Sequence, residues 1–194
     1  MTSIAVSCVV MMASDQSQTG TPPSGVHCDH FSKTGDTACY SRADGRQIGT
    51  STGYSGQPLY RNNPSTAAVP NAGTIPSGTY NITGSSQFLN GRPHNNVISL
   101  EPQSGTEIYG RSSFKMHSDY ANPSRVGTAS HGCVIDSPSQ RQGIVNNGAT
   151  GTVTVQPKYP QSYNYGGTVT MPRQTYVPPA RPSQSYNHSN SWSH

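Results

Sequence analysis

Charged residues are scarce in this chain: twelve Lys or Arg and eight Asp or Glu among 194 residues. No acid follows Asp136, and the four bases beyond it, Arg141, Lys158, Arg173 and Arg181, account for the formal net charge of +4. A surplus so small and so dispersed does not make the cationic face that nucleic-acid binding requires, which argues against nucleic acid as a partner. Apolar runs are short as well. None approaches the roughly 18 residues of a membrane span, so no span is expected. The run at residues 4–13 (IAVSCVVMMA) has no basic residue before it and ends in Ser14-Asp15 rather than a small-x-small cleavage site. It reads as a buried strand, not as an export signal. Also missing is any long stretch with the 3.6-residue apolar spacing of an amphipathic helix, whereas there are 20 glycines and 16 prolines. Short strands joined by turns are therefore expected: a mainly β fold of the sandwich or barrel class, with one or two short helices.

With 30% hydrophobic residues the chain fills one modest core. Residues 1–25 read as an N-terminal strand and a Ser/Thr/Gly/Pro linker, residues 26–156 as the folded domain, and residues 157–194 as a low-complexity tail. In the tail Tyr159, Tyr163, Tyr165, Tyr176 and Tyr186 stand among Pro, Ser, Asn and Gln. A solvated tail is the expectation, with stacking of these tyrosines on sugars or bases as the alternative and a further strand at 168–171 left open.

Val26-His27-Cys28-Asp29-His30 gathers ligand types that suit zinc, but no spaced partner pair completes a site, and neither a metal nor a cofactor is expected. A disulfide from Cys28 to Cys39 is the better reading for an oxidising compartment, although four cysteines allow three full pairings. If Cys133 stays reduced for chemistry, Cys8 is the odd one. Asp44-Gly45, between the runs 37–40 and 46–49, signals a first hairpin. Residues 53–56 and 62–64 read as loop. Strands are expected at 79–82, at 97–100, at 114–116 with Ile108-Tyr109 as its mate around Gly110, and at 151–155. Ser137-Pro138 has the form of a helix start, an N-cap serine followed by proline at the first helical position.

The densest chemistry lies in Phe114-Lys115-Met116-His117-Ser118-Asp119 and in Ser130-His131-Gly132-Cys133-Val134-Ile135. A thiol of ordinary pKa, about 8.5, is mostly protonated at neutral pH and needs an imidazole or oriented amides to act as a nucleophile. His117 and His131 are the candidate bases. Gly132 lets backbone approach a bound carbonyl, and amides near Gly132 and Cys133 are candidates for stabilising an oxyanion. The loop at 120–128 is expected to cover the cleft. There Arg125 offers a planar fork of donors to a carboxylate, and Asp119 shares a strand face with His117.

His117-Ser118 followed by Ser130-His131-Gly132-Cys133 resembles the signature of the L,D-transpeptidase family. Gly53-Tyr54-Ser55-Gly56, Asn62-Asn63-Pro64 and residues 73–80 (GTIPSGTY) extend the similarity to the small L,D-transpeptidase-like toxins exported by type VI secretion systems, over residues 31–155. The resemblance implies that Cys133 is the nucleophile and His117 the base, that the Ser118 carbonyl orients His117, and that His131, Gly132 and Ser130 line the site, with Tyr54 near the cleft mouth. The implied substrate is the tetrapeptide stem of peptidoglycan, the outcome carboxypeptidase or transpeptidase, and the place of action a target cell's periplasm. Implied partners are an immunity protein and a secretion component. Many members carry Arg or Asn shortly after the cysteine. Here Ile135 and Asp136 stand instead, so Arg141 or Arg125 is expected to grip the substrate carboxylate. A papain-like amidase and a non-catalytic wall- or nucleic-acid-binding module are the alternatives.

Overall fold

Residues 24–158 are described in the computed structural model; the expected strand at 4–13, most of the linker, and the tail from residue 159 with its possible strand lie outside the described residues. In chain order the elements are β1 (Val26–Phe31), β2 (Asp36–Ser41), β3 (Gln47–Thr52), β4 (Tyr54–Ser55), β5 (Gly78–Leu89), β6 (Arg92–Pro102), β7 (Phe114–His117), β8 (Val134–Ile135), α1 (Pro138–Asn146) and β9 (Gly151–Gln156). The nine strands form one curved, nearly closed sheet in the order β3-β2-β1-β9-β5-β6-β7-β8-β4. This is the mainly β, barrel-like class with one helix that the short strands and abundant turn residues indicate.

Alternation decides what each strand contributes inward. Val153 and Val155 of β9, Tyr80 and Ile82 of β5, Ile98 and Leu100 of β6, Phe114 and Met116 of β7, and Val134 of β8 meet in one buried cluster. Ile144 of α1 closes it. The helix starts as expected: the Ser137 hydroxyl accepts from the Gln140 amide at 3.1 Å, and Pro138 occupies the first turn.

Several expectations are corrected. The hairpin around Asp44-Gly45 joins β2 to β3, but it is the second one, because residues 26–31 form a strand that pairs antiparallel with β2. That same strand lies parallel beside β9, so both of its edges are paired. Residues 54–55, read as loop, add a short strand to β8. Ile108-Tyr109 is not a strand: Tyr109 takes φ 53° and Ser113 φ 63°, conformations that break pairing, and β7 pairs with β6 instead. The sharp turn at Asn90-Gly91, with both residues at positive φ, joins β5 to β6.

The ligand types bunched at 27–30 are used structurally. His27 shares a hydrogen bond of 3.0 Å with Thr152, and the buried His30 one of 2.9 Å with Thr37. Cys28 and Cys39 are cross-strand neighbours joined by a disulfide inside the core. Closing this short loop contributes about 2–3 kcal/mol. Scanning calorimetry of Cys28→Ala/Cys39→Ala, or of the reduced protein, should show the thermal midpoint lowered by roughly 10 °C; an unchanged midpoint contradicts the assignment of a stabilising role.

Candidate active site

The site is set by the parallel pairing of β7 with β8, in which Met116 lies opposite Val134 and His117 opposite Ile135. Met116 and Val134 point into the core. Strand alternation therefore turns Lys115, His117 and Ile135 to the other face, and the same alternation carried one residue back from Val134 puts Cys133 on that face. Extended by that one residue, the register sets His117 and Cys133 diagonally across the pair. Sixteen residues of connection are needed because parallel neighbours cannot be joined by a tight turn.

His117 is buried, and its Nδ1 lies 2.8 Å from the Ser118 carbonyl oxygen. A carbonyl only accepts, so Nδ1 carries the proton and Nε2 presents the lone pair. Burial pushes the imidazole down to about 4; the Ser118 carbonyl and Asp119 oppose this, while the charges of His94 and Arg141 add to it. Cys133 is a half-buried free thiol. Burial raises its pKa, against the Lys115 amide N–H and the positive charges of Lys115 and Arg111. The resting pair is thus a neutral thiol and a neutral imidazole.

The loop before Cys133 hangs on one hydroxyl. Ser130 Oγ donates to the Cys133 carbonyl at 2.6 Å and accepts from the amides of Gly56 at 2.9 Å and Gly132 at 3.1 Å. These three bonds use its full capacity. Gly132 sits at φ 117°, where a Cβ would collide with the Arg111 guanidinium and come within 3.3 Å of the Gly73 carbonyl. Arg111 in turn donates to the carbonyls of Ala67, Thr74, Gly73 and His131.

Of the residues expected to touch substrate, most are committed elsewhere. Ser130 is fully buried as described. Tyr54 is 2% exposed, and its hydroxyl accepts from the Ala129 amide at 3.1 Å. Arg141 is 1% exposed and gives its guanidinium to the carbonyls of Asn95, Asn96 and Asp136. The expectation that Arg141 grips a carboxylate is thereby corrected: its donors are spent holding α1 against β6. Asp119 accepts from the amides of Tyr120 at 2.8 Å and Gly127 at 2.7 Å. Arg125 is exposed and stacks 3.8 Å above the Tyr120 ring centre. His131 is exposed beside the loop. The Gly132 amide points inward to Ser130, so it is not an oxyanion donor.

Sequence reasoning missed His94, whose Nε2 lies 2.9 Å from Ser118 Oγ and whose ring meets that of His117 edge-to-face at 5.5 Å. It also missed Arg111 and Lys115. Only the position of Lys115, two residues before His117 in an alternating strand, carried a local signal.

The Tlde1 domain family model matches residues 49–158, more than half of the chain. The chain belongs to this family. Tlde1 domains are those of type VI secretion effectors with peptidoglycan-related activity. In this Tlde1 protein β1 and β2 precede the matched residues yet pair into the same sheet. No curated protein matches the chain. Among the described residues, no helix is long and apolar enough to cross a membrane.

The buried titratable groups make stability depend on pH. His30, like His117, is pushed by burial to about 4, opposed by Asp36. Asp136 is pushed up by burial to about 6, opposed by hydrogen bonds from Ser51 and the Ser137 amide and by Arg141. Near pH 5 unfolding therefore takes up a proton on each imidazole and releases one from Asp136, a net uptake of about one proton. Stability should fall by about 1.4 kcal/mol per pH unit as pH drops from 6 to 4.5. Urea unfolding measures this. Asp136→Asn, which removes the opposing group, should roughly double the slope, and a flat or rising stability toward acid contradicts the assignment.

Proposed function

We propose that this Tlde1 protein is a cysteine acyl transferase acting on the tetrapeptide stems of peptidoglycan, an L,D-carboxypeptidase or L,D-transpeptidase. The observation that supports the reading is the β7–β8 register, which pairs His117, its Nδ1 proton held by the Ser118 carbonyl, with Ile135, two residues after the free thiol of Cys133. Because both groups rest neutral, the thiol is activated during attack rather than beforehand. His117 Nε2 takes the proton as Cys133 Sγ bonds to the carbonyl carbon of the meso-diaminopimelate residue. The Cys133 amide is the candidate donor to the oxyanion. As the tetrahedral intermediate collapses, the C–N bond breaks, His117 returns the proton to the departing D-alanine amine, and a thioester remains. Water or an amine acceptor then attacks that thioester with His117 again as base, giving the trimmed stem or a new amide.

That Cys133 leads into a strand, with α1 beginning only at Pro138, argues against a papain-like amidase, which places its cysteine at a helix N-terminus. As a type VI effector the protein would meet mature stems in a target cell's periplasm, and its producer would hold an immunity protein.

Mass spectrometry of muropeptides incubated with each variant tests the reading. Cys133→Ala should abolish tetrapeptide consumption without unfolding the protein. His117→Ala should lower the rate by about 10²–10⁴-fold and the exposed His131→Ala by much less. Unchanged trimming by Cys133→Ala refutes the site, and a larger loss from His131→Ala moves the base to that residue.

A further inference from the structure

We propose that Lys115 is the specificity residue that binds the free carboxylate of the C-terminal D-alanine of the donor stem, next to Cys133. The inference rests on the reading of Cys133 as the nucleophile and adds how the leaving residue is recognised. Lys115 lies opposite Ser99 of β6 on the face away from the core, and the next residue, Met116, pairs with Val134, the residue that follows Cys133. Its backbone amide and its positive charge both act to lower the pKa of the Cys133 thiol against the effect of burial. It is half-buried.

The surrounding groups leave this cation available. Among the described residues no carboxylate is in ion-pair contact with Lys115. The carboxylate of Asp119 is taken by two backbone amides, and Asp136 is buried with its Oδ1 held by the Ser51 hydroxyl and the Ser137 amide. The competing cations are occupied. Arg141 is buried on three carbonyls, and Arg111 lies under Gly132 on four. Arg61 is spent on the Gly127 carbonyl and the Tyr54 ring, and Arg125 is stacked on Tyr120.

The chemistry near the thiol matches. When a carbonyl sits against Cys133 Sγ, the carboxylate of the amino acid being released is two bonds from the scissile nitrogen, whereas the other carboxylates of the stem are farther along the chain. A residue whose charge acts on the Cys133 thiol is therefore placed for the former. A lysine ammonium is a compact point charge that can hold a carboxylate through a single hydrogen bond, without the bidentate geometry an arginine imposes. The same anchor would receive the carboxylate of a free D-amino acid acting as acceptor.

The test is equilibrium binding by calorimetry to the Cys133→Ala protein, so that chemistry plays no part. The probes are L-alanyl-γ-D-glutamyl-meso-diaminopimelyl-D-alanine and the same peptide with a carboxamide on the D-alanine. Cys133→Ala should bind the acid about 10- to 100-fold more tightly than the amide, the range expected of one charged hydrogen bond. Adding Lys115→Met should abolish that preference by weakening the acid alone, and Lys115→Arg should keep part of it. Circular dichroism confirms that the variants are folded. Equal affinity for acid and amide in the Lys115 protein, or a preference that survives Lys115→Met, overturns the proposal. Lys115-dependent acid preference without turnover by the Cys133 protein would instead remove the reading of the reaction and leave the anchor standing.

Discussion

The Ser130 hydroxyl, with one donated and two accepted hydrogen bonds, is the contact on which the site's geometry depends. Through the Gly56 amide it ties the end of β4 to the loop, and through the Gly132 amide and the Cys133 carbonyl it folds the three residues before β8 into one shape. Beneath them the Arg111 guanidinium fills the space that a side chain at position 132 would need. Only then can Val134 enter the core opposite Met116 and leave Cys133 on the outer face. A slip of one residue would turn the thiol inward and expose Val134.

Around this contact the fold spends buried polar groups on position rather than on substrate. Tyr54, with Arg61 stacked on its ring at 4.4 Å, braces the loop from one side. Asp119 holds the Gly127 amide, and Arg141 anchors α1 to the backbone of β6 and of Asp136. The Asp136 amide donates to the His117 carbonyl at 3.0 Å, which carries the same framework to His117. Burial makes the uncharged forms of His117 and Cys133 the resting ones.

Local signals made much of the architecture legible. Ser137-Pro138 marks the helix start, Asp44-Gly45 marks a hairpin, and Val153 and Val155 alternate as a half-buried strand should. The Asn90-Gly91 turn carried an equally clear signal for the hairpin it makes. What local pattern does not encode is pairing between distant segments: β9 inserts between β1 and β5, and the bunched His, Cys and Asp of residues 27–30 become a strand paired on both edges. In the candidate site, residue type singled out Cys133 and His117 because a thiol and an imidazole are the side chains suited to act as nucleophile and base. It misdirected for Arg141, Tyr54 and Ser130, because whether a polar side chain faces a ligand or is buried on backbone carbonyls and amides depends on long-range packing. Lys115, a cation between the buried Phe114 and Met116, stands out only once the parallel partner of its strand is known.

If Cys133 is the nucleophile proposed above, the reaction passes through an acyl-enzyme on its sulfur. Incubating the protein with tetrapeptide muropeptide, quenching in acid and mapping the protein by mass spectrometry tests it most directly. The account predicts a thioester-linked tripeptide acyl group on the peptide containing Cys133. A modification on another residue, or product formed at the normal rate with Cys133 alkylated beforehand, would contradict it.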